Sequence, residues 1–309
     1  MSSAEKQLQN RVSSSQNNLL VRPFLKWAGG KRQLLNVLKE HLPKKYKTRE
    51  ASQPQALALK ARERLTYYEP FVGGGAFLFD LQPKNAVIND SNGELINCYR
   101  IIRDSVEELI EDLGRHKNQE DYYYKMRELD RKTSWTKKTE VERASRIIYL
   151  NKTCYNGLFR VNSRGQFNVP FGRYKNPNIL DEAVLRAVSN YLNENQVEIL
   201  NKDFETAVKT ARKGDFIYFD PPYDPVSDTA SFTGYDINGF NRNEQERLKN
   251  TVDELDKKGC YVLLSNAYTD FIVDLYKDYR QFRVSAIRAI NSNAKKRGRV
   301  DEILVKNYE

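Results

Sequence analysis

Phe216-Ile217-Tyr218-Phe219-Asp220-Pro221-Pro222-Tyr223 sets a carboxylate, two prolines and an aromatic ring directly after four apolar residues. Such a run predicts a strand buried on both faces, and open α/β sheets bind ligands at the carboxyl edge of their strands. The prolines have no N–H and a fixed φ, so this stretch offers backbone carbonyls as acceptors. An acceptor carboxylate, an acceptor carbonyl and a stacking ring suit a planar base bearing an exocyclic amine. Asp220, Pro221, Pro222 and Tyr223 are therefore the candidate catalytic residues.

Two further stretches could hold a ligand. Tyr68-Glu69-Pro70-Phe71-Val72-Gly73-Gly74-Gly75 reads as a strand entering a glycine turn, where a ligand can approach the backbone closely. Its spacing is not G-x-G-x-x-G, so it gives little support to a dinucleotide site. Asp90 stands 17 residues past Gly73, at the end of the next short strand, where an acid can accept hydrogen bonds from ribose hydroxyls. Lys26-Trp27-Ala28-Gly29-Gly30-Lys31 is not a phosphate loop. Arg32 replaces the required Ser or Thr, and the first glycine is absent at the required offset.

The elements that would position these residues alternate. Leu34, Leu35, Leu38 and Leu42 fall at helical spacing before Pro43. Leu65–Tyr68, Ala86–Ile88, Val197–Leu200, Phe216–Phe219 and Tyr261–Leu264 read as strands. Phe204–Ala211 and Gln245–Lys258 read as helices, with Gly259 closing the second. Phe282–Ala289 and Glu302–Tyr308 could pair as a closing hairpin. This pattern predicts an α/β fold with a mostly parallel sheet covered on both faces. Residues 94–195 interrupt it. Ser105 with Glu108, and Thr139 with Glu142, read as capping boxes opening helices there, and 180–192 is helical again. The expected division is a disordered arm over 1–20, a catalytic domain from 21–93 and 196–309, and an inserted helical domain over 94–195. Residues 48–64 read as a surface insertion, and 224–241 as a loop long enough to close over a bound base.

Charge narrows the partners. The chain of 309 residues carries a formal net charge of +10. Arg143–Lys175 holds seven basic residues and Arg288–Arg299 five, neither with any acid, so the remainder nets −2. Local excess of this kind is what a polyanion-binding face requires. No apolar run reaches the roughly 20 residues of a membrane span. Met1–Leu20 lacks the apolar segment of a secretory leader. Cys98, Cys154 and Cys260 are scattered, without disulfide-framework or zinc spacing, so no metal and a cytoplasmic setting are expected.

Taken together, Asp220–Tyr223, the glycine motif at 69–77 and Trp27–Lys31 resemble the three signatures of the DNA adenine methyltransferase (Dam) family. A fourth segment, Tyr155–Arg160 through Phe167–Tyr174, is similar to the DNA-contacting stretch of members that act on GATC. The resemblance runs from about Arg22 to Tyr308. It implies a Rossmann-like methyltransferase fold and transfer of a methyl group from S-adenosylmethionine to the exocyclic amine of adenine in duplex DNA. It also implies that Trp27, Lys31, Phe71, Gly73, Gly75, Asp90, Asp203, Phe204 and Asp220 hold the cofactor. Tyr155, Asn156, Leu158, Arg160, Pro170, Arg173 and Tyr174 are then expected to meet DNA. Lys295, Arg297 and Arg299 are expected to contact phosphates, which position without specifying. The target amine is inaccessible inside a duplex, so the adenine is expected to flip out and stack on Tyr223. Transfer would then be direct and in line. The protein is expected to be monomeric or weakly dimeric.

Other readings stay open on these residues. The same acceptors could polarise the 4-amino group of cytosine, although such enzymes more often carry Ser in place of Asp220. A catalytically inert DNA-binding protein is a second reading, and an RNA substrate a third. A cytosine carbon-5 enzyme is disfavoured, because none of the three cysteines follows a proline.

Overall fold

The computed structural model describes residues 17–27, 29, 31–47, 65–225, 239–287 and 299–309. The expected arm at 1–20 (but for 17–20), the insertion at 48–64, most of the 224–241 loop, Lys295 and Arg297 lie outside the described residues. Among those described, seven strands form a sheet: β1 Tyr67–Glu69, β2 Asn85–Asn89, β3 Gln196–Leu200, β4 Phe216–Phe219, β5 Tyr261–Ala267, β6 Arg280–Ile287 and β7 Arg299–Lys306. Their order is β3-β2-β1-β4-β5-β7-β6. The first five are parallel, and β7 runs antiparallel to both β5 and β6. The sheet is thus mixed but mostly parallel, closed by an antiparallel pair, as the apolar pattern predicts.

The helices are α1 Leu35–Glu40, α2 Lys44–Lys47, α3 Ala76–Leu81, α4 Gly93–Asp104, α5 Val106–Gly114, α6 Glu120–Arg127, α7 Glu140–Thr153, α8 Glu182–Glu194, α9 Phe204–Ala207, α10 Arg242–Lys257 and α11 Asp270–Leu275. Among the described residues, no helix is long and apolar enough to cross a membrane. Successive residues of a strand point to opposite faces. Tyr67, Phe216 and Tyr218 therefore join one buried cluster with residues of α4, α5, α7 and α8, while Tyr68, Ile217 and Phe219 join another with α9, α10 and α11. Burial on both sides explains why β4 has no polar residue.

Local signals fix most boundaries. Thr139 and Glu142 form the full capping box of α7. Asn241 accepts from the N–H groups of Asn243 and Glu244, so α10 starts at Arg242, ahead of the predicted Gln245. Two expectations need correction. Ser105 makes no side-chain cap bond to α5, because it also terminates α4: its N–H donates to the Ile101 carbonyl at 2.8 Å, and its backbone sits at φ −146° and ψ 47°. The helix at 204–211 stops at Ala207, where the chain tightens into short turns closed by Lys209 N–H to Thr206 and Ala211 N–H to Val208. The aperiodic stretch after α7 is a paired loop, with antiparallel bridges Cys154–Phe171 and Val161–Phe167.

The strand order leaves β1 in two directions, toward β2 on one side and β4 on the other. This is a topological switch point, and it opens a crevice at the carboxyl ends of β1 and β4. The glycine turn follows β1, and Asp220 follows β4.

Candidate active site

Asp220 projects from the end of β4 into that crevice. Lys31 Nζ lies 2.9 Å from Asp220 Oδ1, and the lysine is only 6% exposed. No described donor aims a well-directed hydrogen bond at Oδ1, while Lys31 Nζ donates to the Gly29 carbonyl at 2.8 Å. The same ammonium stands 4.6 Å from the centre of the Tyr223 ring, a cation–π contact. Burial pushes the Asp220 carboxyl up to about 6, against the pull of Lys31 and with the nearby Glu302 adding to the rise. Tyr223 donates its hydroxyl hydrogen to Glu302 Oε2 at 2.7 Å.

The segment after Asp220 is braced by side chains. Gln245 of α10 donates to the Pro222 carbonyl at 2.9 Å and accepts from Asn266 Nδ2 at 3.0 Å. Asn266 Oδ1 in turn accepts from the Asp224 N–H. Buried Asp224 accepts from Thr269 and Arg242 at 2.7 and 3.2 Å. No described residue donates to the Pro221 carbonyl. One backbone acceptor is thus held by the frame, and its neighbour is left for a ligand.

Across the crevice, the glycine turn is held from three sides. Gly73 has φ +49°, and a Cβ there would fall 2.8 Å from Trp27 Cδ1. The indole therefore packs directly on the turn, and it also stacks against Phe159 with ring centres 4.8 Å apart. Tyr99 of α4 donates to the Gly73 carbonyl at 3.0 Å. Asp90 accepts from the Gly73 N–H at 3.1 Å and from the Asn92 N–H at 2.9 Å, and burial raises its pKa. Gly75, at φ +69°, abuts Tyr99 and Phe79 with no room for a side chain. Phe71, Phe204 and Phe240 form an aromatic cluster beside the turn, with Phe71 5.5 Å from each of the others. Asp203 caps α9 and pairs with Arg247 at 2.6 Å.

Trp27, Gly73 and Asp90 thus meet at the turn after β1, Phe71 and Phe204 stand beside it, and Lys31 meets Asp220 at the end of β4. Residues 27–290 match the family described as D12 class N6 adenine-specific DNA methyltransferase. The chain belongs to this family. It is 46% identical to the Type II methyltransferase M1.LlaDCHI of Lactococcus lactis subsp. cremoris over 94% of the chain and 97% of that relative. It is 42% identical to the Type II methyltransferase M.MjaIII of Methanocaldococcus jannaschii, over 93% and 99% respectively. Against the DNA adenine methylase of Escherichia coli K12 the identity is 33%, over 92% and 94%.

In this methyltransferase the expected DNA-contacting residues gather on the paired loop after α7. Tyr155 is 43% exposed, and Asn156 takes a left-handed backbone at φ +56°. The Pro170 carbonyl accepts from the Tyr155 N–H at 2.8 Å. Arg160 bonds Asn168 through Nε at 2.7 Å and Nη2 at 3.2 Å, which leaves the Nη1 edge of its guanidinium open. Leu158 packs on the core. The Tyr174 ring lies 5.4 Å from Lys26 Nζ. Arg173, at φ +53°, reaches Glu120 at 3.5 Å. Arg299 is remote in sequence and opens β7.

Four residues with no role foreseen complete the site: Glu69, Glu302, Gln245 and Asn266. Glu69 sits buried at the end of β1, accepts from Tyr67 at 2.7 Å, and has its carboxyl pushed up to about 8 by burial and by Asp220. For Glu302 the sequence shows two adjacent acids, Asp301 and Glu302, ahead of the apolar Ile303-Leu304-Val305, without telling which of them faces the site. Gln245 and Asn266 carry no signal that a single sequence shows.

Proposed function

We propose that the methyltransferase uses S-adenosylmethionine to methylate the N6 amine of adenine in duplex DNA, within GATC, after flipping the base. The single observation that supports this most is the partly buried Asp220, paired with Lys31 at the switch point, with the open Pro221 carbonyl beside it and the glycine turn opposite. A sulfonium donor fits the crevice: the turn has no side chain where Trp27 crosses it, Asp90 offers acceptors for a ribose, and the Phe71–Phe204–Phe240 cluster offers a face for a purine. When bound, that donor supplies an activated methyl group.

The chain's own residues then do three things. They orient, because Asp220 and the Pro221 carbonyl each accept one N–H of the amine and so bring its lone pair out of conjugation. They exclude water, since the site lies at a buried strand end. They manage charge, because the ionised Asp220 can take the proton that the methylated nitrogen sheds. The amine takes the place at Oδ1 that Lys31 holds, so Lys31 yields as the base enters, and the Tyr223 face it leaves is free to stack. A covalent enzyme intermediate is not needed, and all three cysteines are buried.

The paired loop reads sequence, with the open edge of Arg160 facing a guanine, a contact worth about 1–3 kcal/mol of discrimination. Residues 94–195 form the recognition part, and 21–93 with 196–309 the catalytic part. We place the protein in the cytoplasm as a monomer or weak dimer. Plasmid methylated by the enzyme, digested with nucleases of opposite methylation sensitivity at GATC, tests the target. Asp220→Ala is expected to lower transfer by at least about 100-fold, with DNA affinity kept. Nucleoside analysis showing label only on cytosine would replace adenine as the substrate.

A further inference from the structure

We propose that Glu302 is a positioning residue for methyl transfer: by fixing the Tyr223 hydroxyl it holds the ring square over the amine pocket beside Asp220. The inference rests on the adenine reading above and deepens it.

Glu302 reaches the site because β7 runs against its neighbours. It pairs with Ala267, the last residue of β5, so the start of β7 lies at the carboxyl edge where β4 delivers Asp220. Alternation along the strand then separates two adjacent acids. Asp301 turns to Arg283, which it meets through Nε at 3.0 Å, and to Ser285. Glu302 turns the other way and accepts the Tyr223 hydroxyl at 2.7 Å. No described basic side chain forms an ion pair with Glu302, so strand stability gives no evident reason for a carboxylate there. A charged acceptor makes a shorter and stronger hydrogen bond than a neutral one. The ring is therefore held at its hydroxyl end by Glu302 and at its backbone end by the Asn266 frame behind Asp224. When Lys31 leaves the ring face to admit a base, the hydroxyl anchor is what keeps the stacking surface in place. A rotation of the ring by one rotamer would carry that surface away from the amine held at Asp220.

The groups that set the charge around Asp220 are Lys31 before it, Glu302 and Tyr223 beside it, Tyr218 on the same strand and Glu69 on β1. Removing the Glu302 charge alone therefore changes the acid side of the pH profile, which a merely structural residue would not do.

The test uses the full chain with Glu302→Gln, Glu302→Ala and the double variant Glu302→Ala/Tyr223→Phe. Single-turnover transfer to an adenine-containing duplex is followed against pH, and a duplex with 2-aminopurine at the target reports the flipped base. Glu302→Ala is expected to slow transfer by about 100-fold, the cost of a reacting group misplaced by roughly 1 Å, and to change the fluorescence of the flipped base. Glu302→Gln, whose amide oxygen still accepts the hydroxyl, is expected to restore the alkaline rate and to move the acid limb lower. The double variant is expected to lose nothing beyond Glu302→Ala. A wild-type rate and profile in Glu302→Ala, or a Gln variant as slow as Ala with an unmoved acid limb, overturns the role of Glu302. Absence of adenine labelling by the unmodified protein overturns the substrate reading instead.

Discussion

Asp220, partly buried, and Glu69, fully buried, are carboxyls at adjacent strand ends, and their surroundings set them apart. Asp220 has Lys31 at 2.9 Å and is pushed up only to about 6, so it is ionised near neutrality and can accept from an amine. Transfer is accordingly expected to hold above pH about 6 and to fall as the pH drops through that value. A profile of kcat between about pH 5 and pH 8 checks this, and a flat one would remove Asp220 from the reaction. Glu69 has Tyr67 and no described cation, and its carboxyl, at about 8, is largely protonated at neutral pH. Because its folded pKa lies above its unfolded value near 4.5, the stability it contributes is complete below about 4.5. That contribution is lost as the pH rises toward about 8. Glu69→Gln, which mimics the protonated acid, is expected to lie within about 1 kcal/mol of the parent near pH 5 and to exceed it by about 4 kcal/mol near pH 8. Denaturant melts at the two pH values measure the difference. The task proposed for Asp220 is one the sequence already suggests, because acid, prolines and tyrosine follow one apolar strand without a break. The Glu69 state was not legible there, because burial and the phenol of Tyr67 create it.

The elements differ in how openly they declare themselves. β4 is apolar throughout, and a strand buried on both faces admits nothing else. Thr139 and Glu142 cap α7 with contacts three residues apart, which a sequence displays directly. Ser105 has the same local spacing and fails, since one residue cannot close α4 and cap α5 with the same backbone geometry. The loop after α7 has no period to read, because side chains from elsewhere shape it. Asp130 Oδ2 accepts from buried Arg146 at 2.8 Å and from the Phe167 N–H at 2.9 Å. Tyr123 and Arg131 hold the carbonyls of Val169 and Phe167. Asp130→Ala is expected to cost about 3–5 kcal/mol, since it leaves the Arg146 charge buried without its partner. It is also expected to blunt the preference for the target sequence more than it slows transfer on a bound duplex. Thermal melts and competition between target and scrambled duplexes follow the two effects, and full discrimination in the variant would exclude a role for Asp130 in holding the loop.

For the whole molecule, the two acid-free basic segments, separated by more than a hundred residues of chain, predict an affinity for DNA dominated by counterion release. Log affinity is expected to fall linearly with log salt, the slope losing about one for each of Lys295, Arg297 and Arg299 replaced by alanine. Arg160→Ala is expected to act differently, costing about 1–3 kcal/mol of discrimination at guanine with a smaller change in slope. Filter binding over a salt series separates the two, and equal slopes in all variants would remove the basic segments from the interface. What residue order could specify here was whatever depends on neighbours in the chain: the apolar strands, the glycine turn, the caps, the clustered charge and the motifs they carry. Folding added what depends on distance through space. The antiparallel entry of β7 brings Glu302 to Tyr223, the packing of α10 brings Gln245 to Pro222, and folding brings Trp27 against both Gly73 and Phe159. Those partners lie tens to hundreds of residues apart, and hydrogen bonds and stacking act only over a few ångströms, so the chain had to close before any of them existed.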